Sequence, residues 1–332
     1  MDKANSLPEI GIVDYSGVQT AAVLGMTDFF VAAEGMARRH LAKDQAVLRV
    51  SHWKHRDAGD GVERSFDTLP DLEMGRPSVI IIPPGLGDPM PQAEASIYAD
   101  WLRNERSRGV ALCSICKGAF LLGETGLLAE RTITTHWTYE EQFVSRFPGV
   151  RVDTDRLIID DGDILTAGGV MSWIDVSLKL IGRFLGPAIM LDTARVFLVD
   201  PPGREQSYYS AFSPRLNHGD QTILKLQHWL QAGGGKEMGL AALAQQAGLE
   251  QRTLMRRFQK ATGHSAGEYV QRLRVNTARE LLQLTQDPIE TIAWKVHYRD
   301  PGAFRKVFTR IVGLTPAEYR KRFRPELGQK DI

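Results

Sequence analysis

Residues 240–258 run LAALAQQAGLEQRTLMRRF, and their reading decides the last quarter of the chain. Leu240, Leu243, Ala244 and Ala247 fall at i, i+3, i+4 and i+7, one apolar face of a short helix. Gly248 follows, where a tight turn needs positive φ. Leu254, Phe258 and Ala261 restart the apolar face on a second helix. That helix keeps Gln251, Arg252, Arg256, Arg257, Gln259 and Lys260 for its other faces. A short helix rich in Arg and Gln, propped on an apolar partner, is what reading a major groove requires.

The pattern recurs about fifty residues later. Ile289, Ile292, Ala293 and Val296 repeat the first apolar face, and Phe304, Phe308 and Ile311 repeat the second. Gly263 is matched by Gly313, and Tyr269 by Tyr319. Two helix-turn-helix units in tandem are expected, joined by one long helix over about 266–284. Such a helix rises roughly 28 Å, close to the ~34 Å between successive major-groove segments.

These residues carry a family resemblance. Residues 238–323 resemble the DNA-binding domain of AraC/XylS-type transcription regulators. The carrying positions include Leu243-Ala244, Arg252-Thr253-Leu254, Arg256-Arg257-Phe258, Ile292-Ala293, Thr315-Pro316 and Tyr319-Arg320. Glu250 stands where the family usually has a Ser or Thr N-cap, so a less firm helix start is expected. His297-Tyr298 replaces the usual Gly-Phe, which implies a left-handed turn at a residue that tolerates it better than most.

Charge divides along the same line. The chain has 332 residues, 43% of them hydrophobic, and a net charge of +1. Residues 236–324 hold 17 Lys and Arg against 8 Asp and Glu, or +9; residues 1–235 hold 23 against 30, or −7. A basic tail on an acidic body points to nucleic acid at the tail alone. Cys113 and Cys116 lie in one apolar stretch and suggest no disulfide framework. No run of 18 apolar residues and no signal-peptide pattern is present, so a soluble cytoplasmic protein is expected.

The body reads as strands alternating with helices, hence a parallel α/β sheet. Strands are expected over 9–14, 46–52, 78–82 and 110–115, and helices over 18–38, 92–108, 171–185 and 188–199. The run Val79-Ile80-Ile81-Ile82 lacks polar alternation, as in a strand covered on both faces. Residues 54–77 are polar and turn-rich. Asp161-Gly162 reads as a hairpin turn. The acidic cluster around it lacks EF-hand spacing, and no metal site or cofactor is expected.

Ser114-Ile115-Cys116-Lys117-Gly118 passes from a buried strand into a helix through a cysteine, the shape of a nucleophile elbow. A thiol at a helix N-terminus is expected to have a lowered pKa. The structural alternative is a cysteine that merely packs the turn. Residues 9–199 also resemble a PfpI-like domain, related to class I glutamine amidotransferases and flavodoxin-like in fold. Pro84-Gly85, the Cys116 elbow, Thr134-Thr135-His136-Trp137, Gly168-Gly169 and Asp175 carry that resemblance. Hydrolytic relatives place His after the cysteine, where this chain has Lys117. Many relatives place Glu after the first strand, where the nearest candidate is the uncharged Gln19.

A PfpI-like body joined to an AraC/XylS-type tail resembles the GlxA group of regulators. The implied organisation is a sensor domain over 1–200, a linker with one helix over 201–235, and the tandem DNA-binding domain over 236–324. Gly233-Gly234-Gly235 reads as a hinge. Binding beyond the strand carboxyl ends would gather Tyr15, Gly85, Cys116, Lys117, His136, Trp137 and Met171 at one pocket. Tyr15 and Trp137 are suited to a cationic head group, and relatives of this group respond to nitrogenous metabolites; Trp137 in the core is the alternative. Expected base contacts are Gln251, Arg252 and Arg256 on the first reading helix, and Arg299, Gly302, Arg305 and Lys306 at the second. Arg257 and Lys260 are expected at phosphate. The expected whole is a non-enzymatic, homodimeric regulator binding duplex DNA and a small effector. The alternative is a Cys-dependent amidase or hydrolase with an accessory DNA-binding tail.

Overall fold

The computed structural model describes residues 7–56, 61–233 and 239–325. The chain divides into two compact units, Met1–Gln206 and Ser207–Ile332. Gly234 and Gly235 of the expected hinge, and Lys236 at the expected boundary, lie outside the described residues.

The first unit contains, in order, β1 (Glu9–Val13), α1 (Thr20–Leu41), β2 (Arg49–His55), β3 (Val62–Asp67) and β4 (Val79–Ile82). There follow α2 (Gln92–Ser107), β5 (Ala111–Ile115), α3 (Gly118–Gly123), β6 (Thr132–Ile133) and α4 (Glu140–Arg146). It closes with β7 (Arg151–Val152), β8 (Ile158–Asp160), β9 (Ile164–Ala167), α5 (Trp173–Leu185) and α6 (Pro187–Val196). Seven strands form one sheet in the order β3-β2-β1-β4-β5-β9-β8, and β6 and β7 pair separately. The five inner strands are parallel, while β3 and β8 run antiparallel at the two edges. The inner order is that of a doubly wound flavodoxin-like sheet, with its topological switch point between β1 and β4.

Side-chain alternation explains the layering. Val79 and Ile81 join the core on the side of α1, α5 and α6, while Ile80 and Ile82 join that of α2, α3 and α4. Leu112 and Cys113 likewise part to opposite faces. All four residues of β4 are buried, as a strand covered on both faces requires. The Asp161-Gly162 hairpin forms between β8 and β9 as read from sequence, with Gly162 at φ 83°. Its carboxylates serve ion pairs: Asp163 with Arg106 and Arg131, Asp160 with Lys179 and Arg183.

One strand is shifted from the sequence reading, and another was not read from it. The second strand lies at Arg49–His55 rather than 46–52. Residues 54–77 contain β3, a strand with half-exposed polar residues that pairs with β2 through an irregularity at His52/Trp53. Ions hold it in place. Buried Arg49 donates to both Asp67 oxygens at 2.8 and 2.7 Å and to the carbonyl of Glu73 at 2.9 Å. Arg64 bridges Asp67 and the buried Glu9.

The second unit is helical: α7 (Gln221–Ala232), α8 (Leu240–Ala247), α9 (Gln251–Thr262), α10 (Ala266–Leu284), α11 (Ile289–Lys295), α12 (Pro301–Val312) and α13 (Pro316–Phe323). It has two separate cores. Leu243, Leu254, Phe258 and Tyr269 build one, and Ile292, Phe304, Phe308 and Tyr319 build the other. The 19-residue α10 gives Tyr269 and Val270 to the first and Ala278 and Leu282 to the second. The helix read as part of a linker, α7, buries Ile223, Leu226 and Leu230 in the first of these cores. Ahead of α7, residues 207–212 strap both. Ser207 Oγ donates to Val312 O at 3.0 Å, and Phe212 meets Tyr269 edge-on at 5.2 Å.

Phe258 and Phe308 are fully buried, one in each core. Truncating either to Ala is expected to destabilise its half of the second unit by about 3–5 kcal/mol. Hydrogen exchange read by mass spectrometry checks this: protection should fall in that half of the second unit and persist in the other. An equal rise in exchange in both halves would contradict separate cores.

Candidate nucleic-acid interface and ligand rim

Each pair of helices turns through one left-handed residue. Gly248 closes α8 at φ 64°, and His297 follows α11 at φ 64°, as the sequence reading expected of it. The backbone closures match: Gly248 N donates to Gln245 O and Leu249 N to Ala244 O, while His297 N donates to Trp294 O and Tyr298 N to Ala293 O. The second turn is one residue longer. Leu243 and Ile292 are 49 positions apart, whereas Leu254 and Phe304 are 50 apart. The extra residue is Arg299, exposed just before α12.

The reading helices start differently. Glu250 precedes α9 without a side-chain cap, as expected from its type. Asp300 caps α12, accepting from Gly302 N at 2.9 Å and Ala303 N at 3.0 Å. The same bonds hold its carboxyl below the usual carboxylate range. Ends are defined by Gly263 and Gly313, both left-handed. The following helices are capped by Ser265 and by a Thr315–Glu318 capping box.

Burial sorts the expected DNA-facing residues. Leu254 and Phe258 face inward at 0% exposure, so Gln251, Arg252, Arg256 and Lys260 are exposed on the opposite side. Among the described residues, nothing engages the Arg252 or Arg256 guanidinium by hydrogen bond or ion pair. Arg305 and Lys306 are exposed on α12, and Gly302 is half-buried beneath the Asp300 carboxylate. Arg305 pairs with Glu290 on α11. Arg257 is placed differently from the expectation of a phosphate contact. It forms a two-pronged bond to Asp220, at 2.9 and 2.6 Å, and so ties α9 to the start of α7.

In the first unit, the loops after β1 and β4 meet at the switch point. Gln19 N donates to Pro84 O at 2.7 Å, Leu86 N to Gly17 O at 3.2 Å, and Val18 bridges Gly85. Tyr15 Oη donates to Pro83 O at 2.7 Å. A Cβ on Gly85 would stand 3.3 Å from that hydroxyl. Tyr15 is 7% exposed and belongs to the core, so its ring is not open to a cationic ligand as expected.

Cys116 has φ 55°, the strained backbone of an elbow, and is wholly buried. A Cβ on Gly118 would stand 2.5 Å from Ile82 O, so only glycine fits the turn. The expected low thiol pKa is overturned. Burial pushes Cys116 up to about 11, outweighing the Lys117 and Gly169 amides and the Lys117 charge that pull it down.

Lys117 reaches the carbonyls of Leu86 and Gly87 and lies 5.1 Å from the Tyr139 ring centre. His136 is half-buried, its Nδ1 2.7 Å from Thr138 Oγ1, and burial followed by the Lys117 charge lowers its pKa. Its ring stacks on Trp137 at 5.6 Å. Among the described residues, no hydrogen bond links His136 to the Cys116 thiol. Met171 is 48% exposed, and its sulfur accepts from Gln19 Nε2 at 3.9 Å.

Sequence reasoning missed Gln206. Its buried amide accepts from Trp137 N at 2.9 Å and donates to Thr135 O at 3.0 Å. A Cβ on Gly168 would collide with it at 2.1 Å. Arg204 similarly grips Asp175, at 2.9 and 2.6 Å. Both partners lie in a polar stretch with no periodicity to flag them. Beside that stretch opens a cleft of about 950 Å³, lined by Arg156, Ile158, Lys179, Met190 and Glu205 among others.

Comparison with known proteins agrees with both halves. A helix-turn-helix domain model matches residues 243–322, and the DJ-1/PfpI family model matches residues 29–183. The chain is similar to the HTH-type transcriptional regulator GlxA of Rhizobium meliloti (strain 1021), 28% identical over 239 residues, 71% of this chain and 73% of that protein. It is similar to the HTH-type transcriptional regulator CdhR of Pseudomonas aeruginosa, 24% identical over 230 residues, 69% and 68% of the two chains. The isonitrile hydratase of Pseudomonas putida is 31% identical over 133 residues, 40% of this chain and 52% of that enzyme. A DJ-1/PfpI-family match ahead of a helix-turn-helix match is the pairing of domains in the GlxA-type transcriptional regulators to which the chain is similar.

Proposed function

We propose that this protein binds specific duplex DNA through α9 and α12 and regulates transcription in response to a small molecule held by its first unit. One observation carries the DNA half: two short helices, each propped on its own core, keep exposed cationic side chains on the outward face. The 19-residue α10 spaces them by roughly 28 Å, near the ~34 Å repeat of the major groove.

The effector half is supported by the switch-point rim. Gln19 Oε1 is buried there without a hydrogen-bond partner among the described residues. An acceptor left so is costly unless something donates to it. An effector carrying an N–H or O–H donor fits, with the half-exposed Met171 beside the Gln19 amide as an apolar neighbour.

A second reading, hydrolytic or hydratase chemistry at Cys116, draws on the strained elbow and the similarity to isonitrile hydratase. Against it stand the raised thiol pKa, Lys117 in place of a following His, and a His136 engaged by Thr138.

Selection of bound fragments from a genomic library, at fixed physiological salt, tests the DNA half. A shared motif is expected. Arg252→Ala and Arg256→Ala should each lose about 1–3 kcal/mol of discrimination at their own positions. Absence of any motif would sink the proposal.

The thiol is checked by iodoacetamide labelling followed by mass spectrometry. A group with raised pKa is protonated, and unreactive, until pH approaches that value. Cys116 should alkylate slowly at pH 8 and faster only as pH climbs toward about 11. Rapid labelling at pH 7 would favour the enzymatic reading.

A further inference from the structure

We infer that the two reading helices are unequal: α9 sets the operator sequence, while α12 mainly anchors the protein by charge. The inference rests on the DNA-binding reading above and specifies how its two halves divide the work.

The helices align residue for residue, with Leu254, Phe258 and Gly263 matched by Phe304, Phe308 and Gly313. Their buried faces are therefore equivalent, and differences in recognition lie at the exposed positions. The first helical turn differs most. Where α9 presents Gln251 and Arg252, α12 presents Pro301 and Gly302. Gln can pair bidentately with an adenine edge, and Arg with a guanine edge. Pro and Gly have no side-chain donor or acceptor.

The backbone differs in the same sense. The initial amides of α9 receive no side-chain cap, because Glu250 makes no bond to them. In α12 the proline nitrogen carries no hydrogen, and Asp300 occupies the next two amides. The tip of α9 thus keeps amide donors for a phosphate, and the tip of α12 is closed by a carboxylate.

Further along, two of the three α12 cations are already engaged. Arg305 pairs with Glu290, and Arg310 donates to Gln271 Oε1 at 2.6 Å. Arg305 and Lys306 both lie in the field of Asp300 and lower its pKa. Arg252 and Arg256 have no such partner among the described residues. A cation held near carboxylates adds to attraction for the phosphate backbone but carries little sequence information.

The full chain is used for the test, with motifs selected from random DNA at two salt concentrations. The wild type should give a motif with one sharp half and one weak half about a helical turn away. Arg252→Ala should flatten the sharp half, lowering preference there by about five- to a hundred-fold. Arg305→Ala and Lys306→Ala should each weaken binding to all sequences alike and reduce the salt slope by about one, leaving the motif intact. The graft Pro301→Gln with Gly302→Arg should sharpen the weak half.

Two equally sharp halves, with Arg305→Ala flattening one, would overturn the inference and leave the regulator reading standing. No motif at all would remove both. Circular dichroism of each variant guards against misfolding. Should the graft unfold, the two alanine variants on α12 still decide the matter.

Discussion

The turn that joins each helix pair must pass through the left-handed region, and both reading helices hang on it. Gly248 does this at little cost, having no Cβ to clash. His297 holds the same φ of 64° at a penalty of about 1–2 kcal/mol. The second core offsets that: Ile292, Val296, Phe304 and Phe308 are all at most 1% exposed around the turn. Both turns close with the same two backbone bonds, so the apolar faces remain in register although the second loop carries one more residue. Arg299 is that residue, and it is exposed.

A different competition shapes the first unit. At Cys116 an elbow geometry that ordinarily exposes and activates a nucleophile is retained, with its positive φ and its obligatory Gly118. Burial reverses the chemical outcome, since a thiolate sealed from water loses more solvation than two amides and one nearby ammonium restore. Strain and packing at the sheet's carboxyl rim thus persist where the proton balance disfavours attack. The rim is stitched by the bonds between the β1 and β4 loops and by Lys117 across Leu86 and Gly87. A rim held this way suits recognition as well as reaction.

Legibility in the sequence followed periodicity. The helices of the second unit were readable because their buried faces repeat at helical spacing, twice, with left-handed closers at Gly263 and Gly313. The buried strands β4 and β5 were readable as apolar runs. Strand β3 was not, because VERSFD is secured by Arg49, Arg64 and Asp67 rather than by an alternating apolar face. Pairings between distant polar residues left no local trace: Gln206 reaches Trp137 across 69 positions, and Arg257 reaches Asp220 across 37. The thiol pKa failed for a related reason, since local sequence announces a helix start but not the depth at which it is buried.

The arginines of α9 show how one short helix serves two masters. Arg257 faces the half-buried side, where a fixed carboxylate partner stabilises the fold and two parallel bonds set the angle between α9 and α7. Arg252 and Arg256 lie on the open side, where an ion pair would be worth little to stability because solvent screens it. Leaving them unpaired therefore costs the folded state almost nothing. It also removes any partner that DNA would have to displace, so each guanidinium can meet a base edge or phosphate without first losing a bond. On α12 the trade runs the other way, for Arg305 and Asp300 spend their hydrogen-bonding capacity within the protein. In the division of labour inferred for the two helices, the position of a carboxylate, rather than the count of positive charges, distinguishes the helix that reads from the one that holds.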